Sequence, residues 1–283
     1  LGAVWQGKAE RNLEDLETAL ALIGGTSNCH MAVSREPRFI AGIWGPYYGA
    51  MVPGMWLTEG GQSTAGSAID HIIADHANAP ALRALAGRRK RSVYEILNEE
   101  VARIQREEKR GPEITRNLHI LPYFLGNRSP KADPHARAII DGLSLDESIT
   151  SQALRYYAVI QAVAYGTRDI IAEMNKAGYR IERTFVTGGG TKNPLWVQEH
   201  ADATGCTLVL PEEPEAVLLG SAILAATASG AHADIYAAMQ AMSRAGVTVR
   251  PNRRTAAYHR AKFAVFQEMY RVQRRHRARM KRF

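Results

Sequence analysis

Residues 183–206, RTFVTGGGTKNPLWVQEHADATGC, constrain the fold more than any other stretch of the chain. They predict a buried strand that runs into three glycines at 188–190 and then into a helix beginning near Asn193, with Pro194 in its first turn. Glycines allow close backbone approach, and a helix N-terminus offers unpaired N–H groups and partial positive charge. The stretch therefore predicts a phosphate-binding turn, and tight packing alone is the alternative explanation.

A second glycine-bearing turn lies near the start of the chain. Residues 18–23 and 29–33 are apolar enough for two strands, and GGTSN at 24–28 suits a hairpin turn between them. In the functional interpretation, Gly25 and the hydroxyl and amide groups of Thr26 and Ser27 face terminal phosphates. In the alternative they form a simple turn, which these residues taken alone favour.

Size and composition place the chain among ordinary globular proteins. Its 283 residues can bury a complete core, and hydrophobic and charged residues make up 46% and 23% of them. No apolar run reaches the roughly 18 residues of a membrane span and residues 1–10 lack a signal-peptide pattern, so we expect a cytoplasmic protein without membrane contact. The distant Cys29 and Cys206 predict reduced thiols, not metal ligands. Because Leu1 is not a methionine, we expect a fragment.

The net charge of +8 is concentrated at the C-terminus, where residues 271–283 contribute +7 without an acidic residue. Apolar residues recur at helical spacing over 261–280, so we predict a helix with a basic, solvated end, and cations at a helix C-terminus suit its dipole. Docking on an acidic partner or RNA is the alternative. The rest of the chain is nearly neutral, and we do not expect nucleic acid to be a partner.

Residues 38–59 combine aromatic residues with glycine and carry little charge, a composition typical of a pocket wall or of plain core. Glu59 follows this apolar run, so its carboxylate needs solvent or hydrogen-bond donors, and sugar hydroxyls would serve. Residues 62–77 predict a helix. The aromatic candidates for a pocket wall are Trp44, Tyr47, Tyr48 and Trp56.

Helices and strands alternate through the remainder of the chain. The predicted elements are helices at 91–110, 156–174 and about 214–228, and a strand at 207–210. The first of these helices has a mixed-charge face that we expect to be solvated, and the second has Gly178 placed as its C-cap. In the loop at 126–134 we expect Arg128 and Asp133 to form a structural pair or to face a cleft. The order of elements predicts an α/β domain with both sheet faces covered.

Several linked motifs give the chain a family resemblance. They are GGTSNCH at 24–30, WLTEGGQSTAG at 56–66, FLGNRSPKADPHARA at 124–138, AYGTRDII at 164–171 and VTGGGTKNPLWVQEHADATG at 186–205. In this order they resemble the C-terminal domain of the FGGY carbohydrate kinases, and residues 44–66 look most like ribulokinases of the D-ribulokinase branch. The resemblance implies an α/β fold of the actin-like, ribonuclease H-like ATPase class, with a mixed sheet covered by helices.

The resemblance also implies a division of the chain and a set of binding roles. Residues 1–255 would form the nucleotide-binding domain and 256–283 a basic helix packed on it or extending from it, with the N-terminal sugar-binding domain absent. ATP and Mg²⁺ would be the cofactors, and Glu59 would bind the sugar. The implied nucleotide-binding residues are Gly25 and Thr26 at the β- and γ-phosphates, Gly66 and Asp70 on the first helix, and Gly189, Gly190 and Asn193 at the α-phosphate and adenosine.

The same resemblance implies what this chain lacks. In the family the general base is an aspartate that would fall upstream of Leu1, and no motif here would place a base within reach of a substrate hydroxyl. No residue of the chain is expected to bind a metal directly. We therefore expect the chain to be inactive alone and, once completed, to phosphorylate a ketopentose such as D-ribulose to its 5-phosphate. A homodimer is one candidate assembly.

Three other functions remain open at this point. A dinucleotide-binding dehydrogenase would also use a glycine-rich turn, and Glu212 and Glu213 lie near the spacing at which its acidic residue is expected. An actin-like regulator would bind ATP without phosphorylating a sugar. A nucleic-acid-binding protein would use the basic tail, and its binding would weaken steeply with salt.

Overall fold

The computed structural model describes residues 1–6, 8 and 12–283, and a seven-stranded mixed sheet forms its centre. The strands are β1 (Ala19–Gly24), β2 (Asn28–Ser34), β3 (Trp44–Tyr48), β4 (Trp56–Gln62), β5 (His119–Leu121), β6 (Ile139–Asp141), β7 (Arg183–Thr187), β8 (Thr207–Pro211) and β9 (Ala245–Val249). The large sheet has the order β3-β4-β2-β1-β7-β8-β9, and β5 pairs with β6 separately. β1, β7 and β8 are parallel to one another, whereas the remaining neighbours are antiparallel.

Helices cover both faces of the sheet. The α-helices are α1 (Glu14–Glu17), α2 (Gly66–Ala74), α3 (Ala79–Arg89), α4 (Val93–Glu108), α5 (Ile149–Lys176), α6 (Pro194–Thr204), α7 (Ala216–Ala228), α8 (Ile235–Met242) and α9 (Ala256–Met280). Short 3-10 turns lie at Gly2–Trp5, Pro112–Thr115, Gly189–Lys192 and Arg253–Thr255. Within the described part of the chain, no helix combines the length and the apolar character needed to cross a bilayer.

Helix α5 is the central element of the core. Its 28 residues extend about 42 Å at 1.5 Å per residue, and apolar side chains surround almost the whole helix. A helix that is apolar all round is expected in the interior, and α5 packs against α2, α4, α6 and α9. Ser148 caps its N-terminus by accepting a hydrogen bond from the Ser151 amide, and Gly178 follows its end with φ 97°. The predicted helix at 156–174 thus lies inside a longer one.

The alternating side chains of the strands divide the core into two layers. Leu22 and Val186 point toward α5 and α6, whereas Phe185 and Val209 point toward α7 and α8 on the opposite face. This period of two is the expected behaviour of strands that are covered on both sides. The register pairs Ile23 with Thr187, so the turns after β1 and β7 lie at the same edge of the sheet.

The structure corrects several predicted boundaries. Residues 38–59 are not only a pocket wall, because they include β3 and most of β4. The helix predicted at 62–77 is shorter, Gly66–Ala74, because Gln62 is the last residue of β4. The C-terminal helix begins at Ala256, five residues before the predicted start at Ala261. Helices α3 and α8 and strands β3, β4, β5, β6 and β9 were not predicted. The hairpin of β1 and β2, strand β7 and helix α6 appear where the sequence predicted them.

Candidate active site

The β1–β2 turn is held against the start of α2. The backbone N–H groups of Ala65 and Gly66 donate to the carbonyls of Thr26 at 2.9 Å and Gly25 at 3.0 Å. Helix α2 has no side-chain cap, so these carbonyls satisfy amides that a helix start leaves unpaired. A Cβ atom on Gly66 would lie 2.7 Å from the Gly25 carbonyl oxygen. Gly66 therefore provides the space in which the backbone of the β1–β2 turn packs against α2.

The three glycines after β7 differ from one another. Gly188 has φ 95°, and a Cβ atom there would lie 2.4 Å from the carbonyl oxygen of Gly24. A Cβ atom on Gly190 would lie 3.1 Å from the Trp196 ring. Gly189 has ordinary φ, and a Cβ atom on it would meet no described atom within 4 Å. Gly188 and Gly190 thus serve the packing of the turn, and Gly189 alone presents an open backbone.

Asn193 connects helix α6 to the opposite side of the cleft. Its Oδ1 accepts from the amides of Leu195 at 3.1 Å and Trp196 at 3.4 Å, as an N-cap residue does. Its Nδ2 donates to the Tyr156 hydroxyl at 2.7 Å, and that hydroxyl donates to Asn98 Oδ1 at 2.8 Å. Asn98 Nδ2 returns to Asn193 Oδ1 at 3.1 Å. The side chain of Asn193 is therefore occupied by protein partners and positions the turn.

The start of α4 forms the opposite wall, although its sequence pattern predicted only a solvated polar face. Ser92 and Glu95 form a capping box at its first turn. The Tyr94 hydroxyl donates to Asp70 Oδ1, and burial together with this hydrogen bond raises the pKa of Tyr94. Tyr94 and Asn98, four residues apart, face the cleft. The aromatic-polar pair at this spacing was the signal that could have identified the wall.

These elements enclose one cleft of about 1040 Å³. The predicted nucleotide-binding residues that border it are Gly25, Thr26, Gly66, Asp70, Gly189, Gly190 and Asn193. The structure therefore brings all of them together, although they come from three separate parts of the chain. Lys192 adds an exposed cation at the rim, and no described carboxylate lies within ion-pairing distance of it.

Asn28 borders the cleft and begins a network of buried, hydrogen-bonded side chains behind it. Asn28 is 1% exposed and its Nδ2 donates to Gln62 Oε1 at 2.7 Å, while Gln62 Nε2 donates to a carbonyl of α5 at 2.9 Å. Further along β2, His30 Nε2 lies 2.9 Å from Thr167 Oγ1. Burial lowers the pKa of His30 to about 3, so its ring is neutral at physiological pH.

Glu59 does not border this cleft. It lies on β4 opposite Met31 of β2 and Trp44 of β3, three residues before Gln62. Three strand residues correspond to about 10 Å along β4. The Arg128 guanidinium lies over the Trp44 ring, 5.2 Å from its centroid. Burial and the Glu59 carboxylate raise the pKa of the Cys29 thiol, whereas Arg128 lowers it, so these side chains share one surface.

Asp133 pairs with the basic tail and not with Arg128. Its carboxylate accepts from both terminal nitrogens of Arg277 and from the Tyr270 hydroxyl at 3.0 Å. These contacts, led by the Arg277 hydrogen bonds, lower the pKa of Asp133 to about 2. Arg277 is one of the cations predicted to be solvated, and that prediction is wrong for this residue. Arg271 and Arg275 also pair, with Glu268 at 2.8 and 3.3 Å.

The model for the C-terminal domain of the FGGY family of carbohydrate kinases matches residues 20–229, and the chain belongs to this family. An FGGY carbohydrate kinase domain-containing protein of Danio rerio is 46% identical over 260 residues, which are 92% of this chain and 48% of that protein. A D-ribulokinase of Saccharomyces cerevisiae is 39% identical over 213 residues, or 74% of this chain and 30% of the yeast protein. The chain spans about half the length of the curated relatives it matches.

The fold is that of known sugar kinases. The crystal structure of xylulose kinase from Rhodospirillum rubrum superimposes with a TM-score of 0.72 at 22% identity, over 96% of this chain and 49% of the xylulose kinase. The predicted fold class, an actin-like ATPase domain with a mixed sheet covered by helices, is confirmed. The resemblance to the FGGY family is likewise confirmed.

Proposed function

We propose that this chain is the nucleotide-binding half of an ATP-dependent kinase that phosphorylates a ketopentose such as D-ribulose on its terminal hydroxyl. The observation that carries the proposal is the single cleft shared by the β1–β2 turn and the glycine turn after β7. Membership of a carbohydrate kinase family and similarity to a D-ribulokinase support it. A protein with this role would work in the cytoplasm, which we propose as its location.

The cleft suits ATP in size and chemistry. Its volume of about 1040 Å³ is at the upper end of ligand pockets, and its backbone approaches are open at Gly25 and Gly189, where a Cβ atom would clash with nothing. We assign the phosphates to the turns that hold Gly25, Thr26 and Gly189, near the start of α6 and Lys192. The partial positive charge of a helix start and a nearby cation both favour phosphate. Gly66, Gly190 and Asn193 would hold these turns in position, and Asp70 would remain in the wall with Tyr94.

The chemistry is in-line transfer of a phosphoryl group, to which protein residues contribute mainly by positioning and charge neutralisation. When bound, ATP supplies the γ-phosphoryl group and Mg²⁺ neutralises part of its charge. The two turns hold the phosphates, and Lys192 offsets negative charge at the rim. We propose that an N-terminal domain like that of the relatives completes the site, supplies an aspartate as general base and excludes water by closing over the cleft.

Glu59 is the proposed sugar-binding residue of this half. It lies on β4, about 10 Å along the strand from Gln62, whose side chain contacts Asn28 at the cleft. That separation suits a sugar held beside the terminal phosphate. The Trp44 ring and the Arg128 guanidinium, which stack near Glu59, offer an amphipathic surface on which a sugar can lie.

A titration with Mg-ATP tests nucleotide binding by this chain. We expect binding by calorimetry, and we expect Gly189→Val to weaken it by more than about tenfold because the new side chain enters the space reserved for phosphate, a loss of roughly 1.4 kcal/mol. Gly87→Val is the matched control, since a Cβ atom on Gly87 also meets nothing within 4 Å but lies on α3, outside the cleft. Equal ATP affinity in Gly189→Val and the unmodified chain would contradict the assignment.

Sugar phosphorylation requires the completed protein. Fusing this chain to the N-terminal half of the Danio rerio relative should allow ATP-dependent phosphorylation of a ketopentose in a screen of pentuloses and polyols. Glu59→Gln should reduce kcat/KM for the sugar and leave ATP affinity unchanged. A fusion that binds ATP but phosphorylates none of these compounds would refute the kinase proposal and favour the actin-like regulator.

A further inference from the structure

A second cluster of ionisable side chains lies between helices α6 and α9 and does not border the cleft. Glu199 and Asp202 stand three residues apart on α6, on one side of the helix, and His259 lies on α9. One carboxylate oxygen of each acid and one imidazole nitrogen all lie within 4.8 Å of one another. Glu199 is 3% exposed and His259 is 1% exposed. Ionisable groups as deeply buried as these require partners.

Each of the two buried side chains has one partnered and one unpartnered atom. Glu199 Oε1 accepts from the Tyr157 hydroxyl, whereas Oε2 has no hydrogen-bond partner among the described residues. His259 Nδ1 lies 3.0 Å from the Tyr165 hydroxyl, and Nε2 likewise has no described partner. A buried polar atom without a partner costs about 1–3 kcal/mol, so a ligand that contacts both atoms would stabilise the cluster.

Asp202 is also held by hydrogen bonds but lies nearer to solvent. Its Oδ1 accepts from Gln198 Nε2 and from the backbone N–H of Asn252, both at 2.7 Å. The residue is only partly buried, so it offers a route by which an ion can reach the two deeper side chains. Metal ligands in proteins are usually fixed by such outer hydrogen bonds, which set their orientation. All three side chains of this cluster have them.

The chemistry of the cluster defines the class of ion. One imidazole nitrogen with two carboxylate oxygens suits a first-row divalent transition ion, whereas Mg²⁺ and Ca²⁺ prefer oxygen ligands alone. The Tyr165 hydroxyl lies at His259 Nδ1, so Nε2 is the nitrogen left for coordination. Lys262 is the opposing charge on α9, but its ammonium donates to Thr115 Oγ1 and the Leu118 carbonyl, both at 2.9 Å, and pairs with neither acid of the cluster.

We infer that Glu199, Asp202 and His259 form a structural binding site for a divalent transition ion of the Zn²⁺ class. The ion would join α6, whose first turn borders the cleft, to the C-terminal helix α9, and would satisfy Glu199 Oε2 and His259 Nε2. It takes no part in phosphoryl transfer. The inference does not depend on the proposed kinase activity.

Zinc binding by the 283-residue chain provides the test. After loading with ZnCl₂ and dialysis, elemental analysis should find one Zn²⁺ per chain, and calorimetry should give the same stoichiometry. Glu199→Gln and His259→Gln should each weaken Zn²⁺ binding by more than about tenfold, as loss of metal-site groups generally does. Zn²⁺ should raise the melting temperature of the unmodified chain but not that of these variants, because only a ligand of the folded state stabilises it.

Two controls separate this site from others on the chain. His276→Gln changes an exposed histidine of the same helix, and Cys29→Ser removes a partly exposed thiol, so both should bind Zn²⁺ as the unmodified chain does. Asp202→Asn changes the least buried ligand and keeps the test valid if a buried substitution prevents folding, which circular dichroism would show. Zinc binding below one equivalent, or undiminished binding in Asp202→Asn together with either buried variant, would overturn the assignment. Preference for Mg²⁺ over Zn²⁺ would overturn it as well.

Discussion

Gly188 and Gly189 are adjacent, yet the structure predicts opposite consequences for the same substitution. Gly188 has φ 95° and ψ −178°, a backbone conformation that is essentially restricted to glycine. Its missing Cβ atom would also overlap the Gly24 carbonyl oxygen at 2.4 Å. At Gly189 the backbone conformation is ordinary, and no described atom lies within 4 Å of the Cβ position. Alanine should therefore be costly at the first position and tolerated at the second.

The cost at Gly188 can be bounded from these two effects. A residue forced into such a conformation loses about 1–3 kcal/mol, and overlap with a well-packed neighbour loses about 1–3 kcal/mol more. Movement of the turn can reduce the overlap and so lower the sum of the two costs. We therefore expect Gly188→Ala to reduce the free energy of unfolding by about 3 kcal/mol. For a chain of this size that corresponds to a fall in melting temperature of about 6–12 °C. Gly189→Ala should stay within about 0.5 kcal/mol of the unmodified chain.

The assay is thermal and urea unfolding of the two variants in the absence of ligand, monitored by circular dichroism. Because both substitutions add the same methyl group to the same turn, the difference between them isolates conformation and overlap from any general effect of the turn. Equal stability of Gly188→Ala and Gly189→Ala would refute the reasoning. So would a loss of stability at Gly189 larger than that at Gly188.

Substitutions at two further positions test contacts that fix the site and the tail. Asn193→Ala should lower the free energy of unfolding by about 2 kcal/mol in urea denaturation. It removes a helix cap worth about 1 kcal/mol and leaves the Tyr156 hydroxyl without one of its hydrogen-bond partners. Asn193→Asp keeps the cap and should therefore lose less stability. The pKa of Asp133 is lowered from 3.8 to about 2, so its ion pair with Arg277 should stabilise the fold above pH 3.8 and lose this effect as the pH falls through about 2. As the pH falls through that window, the melting temperature of Asp133→Asn should decrease less than that of the unmodified chain. An equal decrease would contradict a stabilising ion pair between Asp133 and Arg277.

The features that were predictable from sequence depend on residues close together in the chain. The β1–β2 hairpin and the turn between β7 and α6 were predicted because glycine, proline and turn-forming side chains determine local backbone conformation directly. The parallel pairing of β1 with β7 brings these two turns to one edge of the sheet. The convergence of the two turns thus follows from two local signals and one strand pairing. Gly66 and Asp70 join them because the start of α2 is hydrogen-bonded to the β1–β2 turn.

Strand β4 shows why other elements were missed. Its sequence, WLTEGGQ, contains two glycines and so appears to be the end of an apolar run rather than a strand. In the structure a Cβ atom on Gly60 would lie 2.7 Å from Ile170 of α5, and one on Gly61 would lie 2.7 Å from the Arg128 side chain. These glycines are present because the central helix and a distant loop pack directly on the strand. The partners lie far away in sequence, so no local pattern reveals the reason.

Helix α6 also has one feature that a local signal predicted and one that depends on a residue distant in sequence. Its first turn carries a local signal, Asn193 followed by Pro194, and this signal indicated the cleft. Its last turns carry Glu199 and Asp202, whose significance depends on His259, a residue that lies about 60 positions away in sequence and reaches them only because α9 packs on α6. Metal binding by Glu199 and Asp202 should stiffen α6, whose first turn borders the cleft. Zinc should then slow amide exchange in α6 in the unmodified chain and have no such effect in His259→Gln.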